Sequence, residues 1–185
     1  MEKEKEGLEN LKKAIHRLKT LNAKSLNTKK TSDNMKVKLK VKNKKFEVKG
    51  KFLGVDILKW DNQSHNKFRI SVKNLRNNKT ISFTFWDSYI NYVQGKTELT
   101  KEDLIYCFKI LLDEALMYVD NKNIDSFYQE FGGETISEIL RAYKGCKKQF
   151  ENCLKLGLTE NEIRDMLNEI IEKENEDKLM DLVIE

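Results

Sequence analysis

Seven cationic side chains stand on one parity of two segments, Lys36, Lys38, Lys40 and Lys42 in the first and Lys67, Arg69 and Lys73 in the second. Side chains arrayed in this way reach phosphate oxygens, giving affinity that depends on salt and not on base sequence. Lysine at such positions also blunts exposed strands against edge-to-edge pairing, and at the level of sequence both readings stand. No aromatic residue interleaves regularly with these cations, so tracking of a phosphate backbone is expected rather than stacking on bases. His65 and Trp60 are expected beside the same surface.

Other chemistry is thinly represented. Cys146 and Cys153 are seven residues apart and share a helical face, but a zinc site needs about four ligands, and the histidines, His16 and His65, lie in distant segments. Cys107, Cys146 and Cys153 make an odd number without a C-x-x-C pair, which points to buried thiols in a reducing cytosol. There is no nucleophile elbow, no HExxH and no glycine-rich phosphate loop. Asp113, Glu114, Asp125 and Glu130 are the carboxylates that a metal-dependent nuclease would use, yet their spacing does not make a cluster. Asp125 reads instead as a charge at a helix N-terminus and Glu130 as a solvated position. A binding protein without catalytic residues, metal or cofactor is expected.

The elements that must position these residues follow from periodicity. Val37, Leu39 and Val41 alternate with the first lysines, the period of a half-buried strand. Phe46 and Val48, then Leu53, Val55 and Ile57, continue as a second strand whose parity slips near Gly50 and Gly54, which predicts a β-bulge. Phe68, Ile70 and Val72 predict a third strand, and Ile81, Phe83 and Phe85 a fourth. Asp61 to Ser64 and Asn77-Asn78 supply turn chemistry between them.

After Trp86 the pattern turns helical. Thr100 with Asp103 predicts a capping box that opens a helix to about Asp120, with Leu104, Cys107 or Phe108, Leu111 or Leu112, Ala115 and Val119 on its buried stripe. A short helix is expected from Ile124 to Phe131, ended by Gly132-Gly133, and a third from about Glu134 to Leu156, stopped by Gly157. Thr159 with Glu162 opens the last, whose charged stretch from Glu172 to Asp177 is expected to fray. Ahead of the strands, Leu8, Leu11, Ile15, Leu18 and Leu21 form a narrow stripe on a helix over residues 4–24. Such a stripe packs back on the body or pairs with a second copy as a short coiled coil, making a homodimer. The expected organisation is α+β: an N-terminal helix and linker over 1–34, a basic antiparallel meander of about four strands over 35–86, and an acidic bundle of about four helices over 87–185, with sheet and helices in one domain.

Charge divides along the same line. Residues 1–79 carry 23 Lys and Arg against 8 Asp and Glu, a balance of +15, whereas residues 80–185 carry 12 against 22, a balance of −10. A basic face attracts phosphate backbones and an acidic one attracts basic protein surfaces. The first residues lack an apolar leader core, and no run approaches the ~18 apolar residues that span a bilayer, so a cytoplasmic protein without a membrane partner is expected. The absence of proline suits uninterrupted helices and ladders and equally suits the composition of an AT-rich genome.

From Ile81 to about Leu167 the chain resembles a family of small phage and prophage proteins of gut Firmicutes. The likeness rests on the aromatic strand Phe83, Phe85 and Trp86, then Asp103, Leu104, Cys107, Leu111 and Asp113 of a DLIYCFKILLDEA segment. It continues through Phe127, Glu130, Phe131 and Gly132 of FYQEFGG, then Ser137, Tyr143, Cys146 and Leu154, and spans rather less than half the chain. Proteins similar to these include type II-A anti-CRISPR proteins, which bind an RNA-guided Cas nuclease and stop DNA recognition or cleavage. The resemblance implies a guide-loaded type II Cas nuclease as partner in a host bacterial cytoplasm. The acidic helices would then occupy protein surface meant for DNA while the basic sheet touches guide RNA or target DNA. The N-terminal helix and the long basic strand region depart from the shorter members of that family.

Overall fold

The computed structural model describes residues 36–58, 63–87, 95–131 and 134–184, with side chains to residue 177. The candidate self-association stripe Leu8, Leu11, Ile15, Leu18 and Leu21, the linker, His16, Trp60, the Asp61-Asn62 turn and Gly132-Gly133 lie outside the described residues.

Four strands, β1 (Lys36–Val41), β2 (Lys44–Ile57), β3 (Ser64–Asn74) and β4 (Thr80–Trp86), form an antiparallel sheet in sequence order. Four helices follow, α1 (Lys101–Asp120), α2 (Ile124–Glu130), α3 (Ile136–Lys155) and α4 (Glu160–Ile184). The α+β class is therefore that of the structure. Alternation explains the sheet. Val37, Phe46, Val48, Phe68, Ile70, Val72, Ile81, Phe83 and Phe85 all point to the helical side and are buried. Against them α1 lays Leu104, Cys107, Phe108, Leu111, Leu112 and Ala115, each with no exposed surface. Phe46 and Phe108 meet with ring centroids 5.2 Å apart. Sheet and helices share this core.

Glycine roles differ from expectation at one point. The register shift lies between Phe52 and Gly54, and Gly54 takes a φ of +125°. Gly50 sits in regular ladder instead, and a Cβ there would stand 2.9 Å from Leu99 and from Leu104. Its absent side chain is what lets the start of α1 press onto β2. After the shift, Leu53, Val55 and Ile57 are exposed, Ile57 by 67%, on the stretch of β2 beyond residues 44–49, with which β1 does not pair.

The helix signals sit as written in the sequence. Thr100 and Asp103 cap α1 reciprocally, Thr159 and Glu162 do the same for α4, and Gly157 ends α3 with a φ of +79°. Thr135 with Glu138 is a third capping box that opens α3. The last helix does not stop at its charged stretch but runs to Ile184. Ion pairs along it account for this: Lys173 meets Glu169 one turn back at 3.0 Å, and Lys109 of α1 meets Glu174 at 2.5 Å.

Candidate nucleic-acid interface

The sheet face turned away from the helices is built from the polar parity of each strand. Cross-strand register sets Lys36 beside Lys49, Lys38 beside Glu47 and Lys40 beside Lys45. Across the next ladder, Glu47 faces Lys73, Lys49 faces Ser71 and Lys51 faces Arg69, and β4 completes the rows with Thr80, Ser82 and Thr84. Partners directly opposite in an antiparallel pair lie on one face, about 4.5–5.5 Å apart at Cβ. Lys67 and Trp86 close the surface at one end, with the ammonium 5.7 Å from the indole centroid.

The seven candidate residues fall into two groups on this geometry. Lys36, Lys38, Lys40, Lys67, Arg69 and Lys73 all point to the open face, and Lys45, Lys49 and Lys51, which the sequence reading left aside, join them. The signal for these three was their pairing with Lys40, Lys36 and Arg69, visible only once register is known. Lys42 does not belong to the face. Lys42 and Asn43 form a two-residue turn with φ values of +39° and +64°, the doubly left-handed geometry of a type I′ hairpin. From there Lys42 reaches back to α4, 3.0 Å from Asp165, and its backbone N–H donates to Glu169 at 2.6 Å. Lys44 pairs with Glu162 beside it, which holds that carboxyl below its usual range.

Glu47 is the carboxylate at the centre of the basic face. Hydrogen bonds from Lys36 at 2.6 Å and Lys49 at 3.0 Å lower its pKa to about 2. At the far end Lys67 at 2.7 Å, followed by the Trp86 indole N–H, lowers that of Asp56. Among the described residues, Lys38, Lys40, Arg69 and Lys73 enter no ion pair. Arranged in this way, the surface offers unneutralised cations at strand spacing, with hydroxyls along β4 that can hydrogen-bond phosphate or sugar.

His65 turns inward, its Nδ1 3.2 Å from the buried Asp87 carboxylate, which also accepts from the Gly95 N–H at 3.1 Å. The three thiols are free and buried, and burial pushes each up to about 12, so they are protonated at neutral pH. Of the carboxylates considered for a metal, Asp113 and Glu130 border a surface depression beside Asp120, where Arg164 pairs with Asp120 at 2.5 Å. Glu114 lines a different groove. Among the described residues no group of three or more His, Cys, Asp or Glu side chains is placed to hold a metal ion. No helix among them is long and apolar enough to cross a membrane.

Among the described residues, these features define an α+β protein with one helix-covered sheet face and one basic sheet face that no described helix covers. Comparison with protein-family models, curated proteins and solved structures returned no match.

Proposed function

We propose that the protein binds nucleic acid by its phosphate backbone through the open sheet face. The observation that supports this is the convergence of nine Lys and Arg side chains from β1, β2 and β3 on that face, around the single interior carboxylate of Glu47. Each phosphate contact releases condensed counterions, so affinity falls as salt rises. The face carries no row of aromatic side chains, so recognition runs along the backbone and tolerates any base sequence. In the phage context of the sequence resemblance, this is the work of a nucleic-acid-binding or regulatory protein.

The test is fluorescence anisotropy of labelled random-sequence duplex and single strand over a salt series. Micromolar binding at low salt, with a log–log slope near the −0.9 per contact of duplex DNA, supports the reading. Binding that is absent, or that ignores salt, overturns it.

A second reading is favoured by the segregation of charge between the two sides of the molecule. In it the protein acts as an anti-CRISPR protein, capturing a guide-loaded type II Cas nuclease without cofactor, with the basic sheet on guide RNA or target DNA and helical carboxylates on the nuclease. Mixing the protein with guide-loaded nuclease and target DNA separates the two. Tight one-to-one capture with loss of DNA binding or cleavage, and weak affinity for bare DNA, supports the second reading; unaffected cleavage overturns it.

A further inference from the structure

The cations of the basic face do not cover it evenly, and register divides them into two banks. In the first, Lys38 and Lys73 flank Glu47 in one cross-strand row, and Lys40 pairs with Lys45 one row nearer the hairpin tip. In the second, Lys51 pairs with Arg69. Among the described residues these six side chains enter no ion pair. The row between the banks has a different character. Lys36 and Lys49 are both bound to Glu47 there, and Ser71 and Ser82 continue the row across β3 and β4 with their hydroxyls 2.8 Å apart. Along the strands the face is therefore positive, then neutral, then positive.

The spacing of the banks describes what fits them. Glu47 and Lys51 are four residues apart on β2, as Lys73 and Arg69 are on β3, so at about 3.3 Å per residue the facing edges of the banks stand roughly 13 Å apart. A lone polynucleotide running along the strands would cross Glu47 and the neutralised row midway, where no free cation meets its phosphates. A duplex instead presents two phosphate rows with a groove between them. The minor groove of B-DNA is about 6 Å wide between backbone surfaces, which, with the girth of the phosphates added, sets its two phosphorus rows roughly 12 Å apart. The major groove, about 12 Å wide, is too broad for the facing edges of the banks, and so is the wide, shallow minor groove of A-form RNA. Hydroxyls suit the same placement. Thr80 stands beside Lys73 and Thr84 beside Arg69, one for each bank, while Ser71 and Ser82 bring donors to a groove whose A·T edges present only acceptors.

We propose that the basic face binds double-stranded DNA across its minor groove, with the bank of Lys38 and Lys73 on one backbone, the bank of Lys51 and Arg69 on the other, and Ser71 and Ser82 over the groove between. This rests on the reading of the face as a phosphate-binding surface, and adds to it the form of nucleic acid and the groove. Glu47 has a part in the selection: by holding Lys36 and Lys49 it keeps the middle of the face from serving a single backbone.

The experiment titrates the full chain by fluorescence anisotropy at fixed low salt against an A·T-rich DNA duplex of roughly 20 base pairs, two helical turns, against each of its strands alone, and against the RNA duplex of the same sequence. The DNA duplex is expected to bind at least ~10-fold more tightly than either strand or the RNA duplex, since it alone meets both banks. Netropsin, which fills the minor groove of A·T-rich DNA, should displace the protein. Lys51→Gln with Arg69→Gln removes one bank from the protein surface and should lower duplex affinity about 10-fold and strand affinity less than threefold, so that the preference disappears; circular dichroism should show the fold retained. Glu47→Gln should narrow the preference from the other side, by tightening single strands more than duplex. A single strand or the RNA duplex bound as tightly as duplex DNA, indifference to netropsin, parallel loss of strand and duplex affinity when Lys51 and Arg69 are replaced, or an unchanged preference in Glu47→Gln overturns this proposal and leaves the phosphate-binding reading in place. Absence of salt-dependent binding to every probe overturns both.

Discussion

Lysines a few residues apart in the first hairpin do different work. At its tip, Lys42 and Lys44 face α4 and meet Asp165 and Glu162, while the backbone N–H of Lys42 is held by Glu169. Along its length, Lys38 and Lys40 point away from the described helices and join Arg69 and Lys73. The +15 and −10 halves of the sequence are therefore partly spent on each other. Opposite charges at the tip clasp the hairpin to the last helix, and what remains for a partner is the part of the positive charge that the fold does not neutralise. Summed charge does not distinguish the two uses; register does.

The largest expected effect tests the open face. Replacing Lys38, Lys40, Arg69 and Lys73 with Glu should lower affinity for random-sequence duplex by at least ~100-fold at low salt and reduce the salt slope by about 3.6, at 0.9 for each of the four contacts. These side chains are exposed or half-buried at the protein surface, so circular dichroism should show the fold retained. An affinity within a factor of about two of the parent would break the contrast between face and tip.

Next in size is the clasp. Glu169→Ala removes the acceptor of the Lys42 N–H, and Glu162→Ala removes the Lys44 partner together with the carboxylate that accepts from the Thr159 N–H. Each should cost about 1 kcal/mol in urea denaturation, the ordinary worth of a charged hydrogen bond discounted for surface exposure. Because the folded-state pKa of Glu162 is depressed, its contribution is present above the unfolded carboxylate value and fades as pH falls through the folded one. Neither substitution should alter nucleic-acid affinity by more than about twofold, since the tip does not lie on the face.

Glu47 sharpens the comparison from the other direction, because at the centre of the face it neutralises Lys36 and Lys49, as Asp56 does Lys67 at the far end. Glu47→Gln keeps the shape, releases Lys36 and Lys49, and should tighten polyanion binding about threefold, as one freed phosphate contact would. The carboxyl ionises at about 2 in the fold, against an ordinary 4.5. Stability from this group is therefore complete above 4.5 and is lost as pH falls from 4.5 toward 2, and the variant should show a flatter acid limb over that window.

Much of the fold was legible because local rules and packing agree here. Alternation placed Val37, Phe68, Ile70 and Val72 on strands, and two of the three capping boxes and the Gly157 stop stood in plain sequence. Leu53, Val55 and Ile57 have the composition of core, yet they are exposed on the stretch of β2 with which β1 does not pair, which no local pattern records. Continuation of α4 past Glu172 depends on charges one turn back and on α1, again beyond a window of neighbouring residues. The candidate site was legible in its first and third strands, at Lys36, Lys38, Lys40, Lys67, Arg69 and Lys73, and not in its extent. Lys45, Lys49 and Lys51 needed register to be seen on the face, and Lys42 needed the turn to be seen off it.

The smallest effect is the most discriminating, because it asks whether the exposed part of the clasp is an interaction or only a proximity. Lys42 and Asp165 are 3.0 Å apart with side chains about half exposed, 54% and 51%. Solvent screens such a pair, and holding two long side chains costs entropy, so coupling of about 0.2–0.5 kcal/mol is expected from a double-mutant cycle through Lys42→Ala and Asp165→Ala. Raising salt to about 1 M, where charges are screened within roughly 3 Å, should erase it. The backbone bond from Lys42 to Glu169 survives both substitutions, so the hairpin tip stays docked and polyanion affinity stays at its parent value throughout the cycle. If the Lys42→Ala variant instead lost nucleic-acid affinity as severely as the charge-reversed face, the tip would belong to the interface and the division between clasp and face would fall.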